Sequence, residues 1–260
     1  MVFLLSLFTR PFRLIGLIVT VGLIVGGIWL WNRAHSSTPV SEERALADFR
    51  GRAAEEPARV RPGVPRAGVY SYRVQGRETA KAGPASIGRD LPGRASYVVT
   101  PTPAGYEEEW RLSEEHIEAF RYRVAPGGAR TVWTRTKLTF LGFGRDDRRD
   151  LRPPPLRMPL RPRVGQTWRS SYMAGDLPVM VAARVLRREP VRVGGRPVPA
   201  LVVHVHSETG GAHPGTRDER VWWAPSLALA LRMEVDMEVR GTFGLSGEAR
   251  LELESTDPRT

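Results

Sequence analysis

The chain has no cysteine, which excludes disulfides, thiolate metal centres, a cysteine nucleophile and a lipidated N-terminal cysteine. Lysine is nearly absent as well. Lys81 and Lys137 are the only two in 260 residues, so the formal net charge of +11 rests on arginine. That skew reads first as arginine-rich codon usage and second as a basic surface suited to anionic lipid or polymer. A nucleophile elbow is missing, because Gly244-Leu245-Ser246-Gly247 lacks the Gly-x-Ser-x-Gly spacing. The glycine-rich loop Gly210–Gly215 precedes a strand-like stretch rather than a helix, so it assembles no phosphate cradle. Glu107-Glu108-Glu109 and Glu114-Glu115 are adjacent acids, but nothing in the sequence fixes the separation that glycoside chemistry needs. They read as solvated strand ends. The arginine-rich stretch lacks interleaved aromatics, so a nucleic-acid partner is not expected, and no cofactor motif is found.

Long apolar runs are scarce too, with one exception. From Leu14 to Trp31 there is no charged residue, and at about 1.5 Å per residue the run spans about 27 Å, close to a bilayer core. Trp29 and Trp31 sit where an interfacial belt belongs, and Arg10 with Arg13 precedes the run. The only cleavage-like pattern is a weak Ala34-His35-Ser36. Residues 14–31 are therefore expected to form an uncleaved signal anchor in the cell membrane. Residues 1–13 would be a short cytoplasmic stub and the remainder extracytoplasmic. Residues 32–66, punctuated by proline, read as a stalk. Within it, Ser41–Glu56 is helix-prone, with Ser41 as cap and Leu46 and Phe49 as a thin apolar stripe; it remains a stalk unless it docks on the domain.

Residues 67–257 read as one mainly β domain. The clearest strand is near the end: Leu229, Leu231, Met233, Val235, Met237 and Val239 alternate with Ala230, Arg232, Glu234, Asp236, Glu238 and Arg240. After Gly241 the alternation resumes, with Leu245, Ala249, Leu251 and Leu253 on the apolar side. A two-residue turn would set Arg240 against Phe243, so an odd-length loop or bulge is expected. The resulting register puts Met237 opposite Gly247, Val235 opposite Ala249 and Met233 opposite Leu251. It leaves Asp236 facing Glu248. Further strands are expected over 70–74, 96–100, 106–112, 116–124, 131–141, 166–173, 178–188, 198–208 and 217–223. Residues 142–164, with three consecutive prolines and seven arginines from Arg145 to Arg163, read as an irregular crossover. A short helix is allowed over Ala82–Arg89.

Three short stretches carry a family likeness: Val69-Tyr70-Ser71-Tyr72, Gly165-Gln166-Thr167-Trp168, and Arg220-Val221-Trp222-Trp223-Ala224-Pro225 leading into Leu229-Ala230-Leu231-Arg232. With them the exported part resembles the envelope proteins of the lipoprotein-carrier fold, the LolA/LppX-like half-barrels. That resemblance implies a curved antiparallel sheet over an apolar cavity, with a β-sandwich or closed β-barrel as the alternative architectures. A hydrophobic or lipid-like ligand would then meet Tyr70, Tyr72, Leu229, Leu231, Met233, Val235, Met237 and Leu251.

The same apolar row also suits a dry core. Two further readings stand beside the ligand-binding one. The first is a non-enzymatic assembly module that contacts another envelope protein by a sheet edge or the arginine-rich loop. The second is a zinc-dependent enzyme. His204, His206 and Glu208 alternate on one strand face and could grip a metal, with His213 in the following loop, although a solvated polar face explains the pattern as well. Trp222 and Trp223, being adjacent, must point to opposite sides of their strand.

Overall fold

The computed structural model describes residues 37–53, 62–140, 143–211, 214–241 and 243–260. The expected stub and anchor lie outside them, and among the described residues no helix is long and apolar enough to cross a membrane. The elements are α1 (Glu42–Ala53), β1 (Gly68–Ala82), β2 (Ala85–Asp90), β3 (Arg94–Thr102), β4 (Gly105–Ser113), β5 (His116–Ala125), β6 (Gly128–Phe140), β7 (Phe143–Arg152) and β8 (Leu156–Met158). They continue with β9 (Thr167–Ala174), β10 (Leu177–Arg188), β11 (Val191–Val193), β12 (Arg196–Val198), β13 (Leu201–Thr209), β14 (Gly215–Ala224), β15 (Leu229–Val239) and β16 (Phe243–Leu253).

Twelve of these strands form one antiparallel wall in the order β1, β3, β4, β5, β6, β7, β9, β10, β13, β14, β15, β16. The wall closes on itself. β16 pairs with β1 from Tyr72↔Leu253 to Ala82↔Phe243, so the sheet is the closed-barrel alternative rather than an open half-barrel. Gly76 allows that seam to shut: its φ is +154°, and a Cβ there would lie 2.2 Å from the Glu248 carbonyl oxygen. β2 extends the wall as a hairpin partner of β1, and β8 pairs with β6. Of the two places where the sequence allows a helix, the stalk has it, over Glu42–Ala53, and Ala82–Arg89 is a β-turn and strand.

The final hairpin has the register that its alternation demands. Met233 faces Leu251, Val235 faces Ala249, Met237 faces Gly247 and Asp236 faces Glu248. Arg232 Nε stands 3.1 Å from Glu252, and Arg250 Nη1 stands 3.9 Å from Glu234. Trp222 and Trp223 do part company. Trp222 lies outside the wall, where Arg232 covers its ring and its indole N–H donates to Glu189 at 2.9 Å, while Trp223 packs against both main apolar clusters.

Two expected irregular segments are ordered parts of the domain. α1, capped by Ser41, lays Ala45, Leu46 and Phe49 on Val69 and Val98, on the outer side of β1 and β3. The described part of the expected stalk is thus docked, and burying Leu46 and Phe49 contributes about 2–3 kcal/mol each before entropy is counted. The expected crossover 142–164 begins with a strand, because β7 pairs with β6 from Phe140↔Phe143 to Trp133↔Asp150. No apolar alternation announces β7. Its charges pair instead, as in the two-pronged contact of Arg135 with Asp146 at 2.7 Å.

Candidate functional site

The interior of the barrel has two halves of opposite character. Toward the rim where β1 begins, Tyr72, Tyr97 and Trp110 form an aromatic knot, with Tyr97 and Trp110 ring centroids 4.3 Å apart. The Tyr72 hydroxyl reaches past β16 to donate to the Ala230 carbonyl of β15 at 2.6 Å. Leu229, Leu231, Met233 and Leu251 join this cluster, as do Tyr70 and Tyr72. Tyr72 and Leu231 are 0% exposed and Leu229 is 1% exposed, so a water-sized probe scarcely touches them. The row expected to line a ligand cavity is therefore packed as core. Only Val235 and Met237, further along β15, are partly exposed.

The other half holds an ion-pair chain that crosses from wall to wall. Arg89 donates to Glu78 at 2.7 and 3.0 Å and to the Thr139 carbonyl at 2.7 Å. The other Glu78 oxygen meets His116 Nδ1, and His116 Nε2 lies 3.5 Å from Glu118. Glu118 accepts from Arg217, on the opposite wall, at 2.9 and 3.2 Å. Glu219 accepts from Arg217 at 2.6 Å and from Arg157 at 3.1 Å. The order Arg89, Glu78, His116, Glu118, Arg217, Glu219, Arg157 alternates in sign at every step. Glu108, near Arg157, accepts one hydroxyl each from Tyr97 and Tyr122 at 2.7 Å.

Burial and pairing act against each other on these groups. Burial pulls the His116 pKa down, but hydrogen bonds to Glu118 and Glu78 outweigh it and hold the ring at about 9. Glu118 and Glu78 are penalised by burial yet lowered on balance, Glu118 chiefly by the charge of Arg217 and Glu78 chiefly by its hydrogen bond with His116. For Glu108 burial prevails and its pKa is raised. Chemically, the chain is a cross-brace: each buried charge has a counter-charge, and the lumen is filled from both ends.

Sequence reasoning missed this brace because each member sits in a polar-looking stretch. Strand phase would have found it. His116 and Glu118 are in step with Phe120 and Tyr122, and Glu108 is in step with Tyr106 and Trp110.

His204, His206 and Glu208 do share the outer face of β13, but they turn to carboxylates. His204 Nε2 and His206 Nδ1 meet the same Asp218 oxygen at 3.1 and 3.0 Å, and His206 Nε2 meets Glu208 at 3.1 Å. Hydrogen bonds to Asp218 and Glu208 raise the His206 pKa. Among the described residues no group of three or more His, Cys, Asp or Glu is gathered so as to hold a metal ion, and His213 lies outside them. A shallow outer groove of about 510 Å³ runs past His204, Asp218, Asp236 and Glu248.

No protein-family model and no curated protein matches the chain. Among solved structures it is similar to the hypothetical lipoprotein YmcC from Escherichia coli (K12), at 11% identity and a TM-score of 0.37, over 85% of this chain and 100% of that one.

Proposed function

We propose that this chain is a non-enzymatic module of the cell envelope whose closed barrel works through its outer wall rather than its lumen. The observation that carries the reading is the filled interior, with an aromatic knot at one end and a wall-to-wall ion-pair chain at the other. Residues 14–31 would tether the barrel to the membrane. Ser37 and Thr38 bind at the rim of the β4–β5 turn, through Asp90 and Glu115, and the intervening residues 32–36 span at most about 18 Å. The rim with the turns β1–β2, β4–β5 and β9–β10 would then face the bilayer.

A photoactivatable fatty acid added to the full-length protein in mixed micelles tests this. Labelling confined to peptides from the N-terminal apolar run supports the reading. Label on peptides containing Tyr72, Leu231 or Leu251 would show that the barrel opens to a lipid, and the reading would fall.

A further inference from the structure

Both lysines of a chain that otherwise uses arginine lie at one rim of the barrel. Lys81 is the penultimate residue of β1, and Lys137 stands three residues from the end of β6. Antiparallel alternation makes β1, β6 and β15 run the same way, so their ends share the rim where the β4–β5 turn holds Thr38 through Glu115. Codon usage that favours arginine does not account for a lysine. Lys137 is engaged, donating to the Glu114 carbonyl at 2.9 Å. Lys81 is exposed and has no hydrogen-bond or ion-pair partner among the described residues.

Lys81 borders a cleft of about 410 Å³, and glycine opens it. Gly244 is the partner of Lys81 across β1 and β16, and Arg240 follows Val239, the partner of Leu245, so Gly244 lies between the two cations. A Cβ on Gly244 would stand 3.3 Å from the Val239 carbonyl oxygen and 3.6 Å from the Lys81 Cβ, so a larger side chain would fill the space. Gly83 and Gly241, in the two adjoining turns, line the cleft with backbone alone. Ser246, on the same strand face as Gly244, adds a hydroxyl that has no partner among the described residues. Arg240 donates from one Nη to Glu238 at 3.1 Å, and its other guanidinium nitrogens have no partner among the described residues. The cleft thus gathers an ammonium, part of a guanidinium fork and a hydroxyl, while its one carboxylate is already engaged. A compact lysine charge beside a planar arginine fork suits a phosphate group.

Resting on the reading that this rim faces the bilayer, we infer that the cleft between Lys81 and Arg240 binds a phosphate group, carried by the head group of an anionic phospholipid or free in solution. The ammonium and guanidinium would hold its oxygens, Ser246 would donate to it, and the absent side chain of Gly244 would leave it room.

Full-length protein in nonionic micelles is titrated calorimetrically with dioctanoyl phosphatidylglycerol, with dioctanoylglycerol, which lacks the phosphate, and with inorganic phosphate. Saturable binding is expected for the phosphate compounds and not for dioctanoylglycerol. It should weaken about tenfold or more in the double variant Lys81→Gln/Arg240→Gln, whose side chains are exposed. Gly244→Val should weaken it as much with every charge kept, which attraction to a diffuse basic surface would not do. Arg10 and Arg13 are present in every variant, so any contribution of theirs cancels in the comparison. Displacement of the bound lipid by an equal concentration of inorganic phosphate identifies a free-anion site. Retention against about a hundredfold excess identifies a head-group site. The inference is overturned by no binding of either phosphate compound, by equal binding of dioctanoylglycerol, or by binding that survives either substitution. Absence of phosphate binding with photolabel confined to the N-terminal run removes only the cleft, whereas label inside the barrel removes the reading beneath it.

Discussion

Replacing Glu118 by glutamine probes the brace at its centre. Glu118 accepts two hydrogen bonds from Arg217 and stands beside His116, and its side chain is 11% exposed. Neutralising it strands part of two buried positive charges. Removing one partner of a buried pair costs about 3–5 kcal/mol. Glutamine keeps a carbonyl acceptor and Glu219 still holds Arg217 at 2.6 Å, so the lower end, about 3 kcal/mol, is expected. For a domain of this size that lowers Tm by about 6–12 °C. Guanidinium denaturation gives the free energy, and a cycle with Arg217→Met should return a coupling of about 1–3 kcal/mol. A Glu118→Gln protein within about 0.5 kcal/mol of the parent would refute the cross-brace, because a solvated carboxylate behaves that way.

Stability should also fall on the alkaline side. His116 lies at about 9 in the fold against 6.5 when free, so its contribution is whole below pH 6.5, declines above it and is gone past 9. The decline is at most about 3 kcal/mol, and denaturation at pH 6 and 9.5 with His116→Gln as reference should show it only in the parent. Gly76→Ala should cost more than about 2 kcal/mol, since its Cβ would meet the Glu248 carbonyl at 2.2 Å; an unchanged melting curve contradicts the tight seam. Phe49→Ala should cost about 3 kcal/mol and expose α1 to proteolysis, while equal protease resistance would mean the helix is undocked. Trp133→Phe is expected to change stability by less than about 1 kcal/mol, because the buried indole N–H has no partner to lose.

Much of the wall was legible because one face of it is apolar. Period-two alternation located most of the long strands, and the parity conflict between Arg240 and Phe243 was enough to set the final hairpin's register. Alternation could not say whether Leu229 to Met237 lined a cavity or filled a core, since both look alike until the opposite wall is placed. Closure was illegible for the same reason: it depends on the first strand of the barrel, β1, meeting the last, β16. β7 escaped because its inward and outward positions are both charged, so proline and arginine content outweighed strand signals. The ion-pair chain escaped because Glu118 and Arg217, 99 residues apart, are each other's counter-charge and neither explains the other locally.

The absence of native cysteine makes closure directly measurable. Gln75 and Arg250 are outward-facing partners across the β1–β16 seam, so a Gln75→Cys/Arg250→Cys protein places two thiols within bridging reach. Mild oxidation of the full-length monomer, followed by mass spectrometry of its peptides, should find the two cysteines linked nearly completely with the circular dichroism spectrum unchanged. Thiols that stay free under conditions that oxidise a control pair across β15 and β16 would mean that the wall is open, and the account of a closed, filled barrel would be wrong.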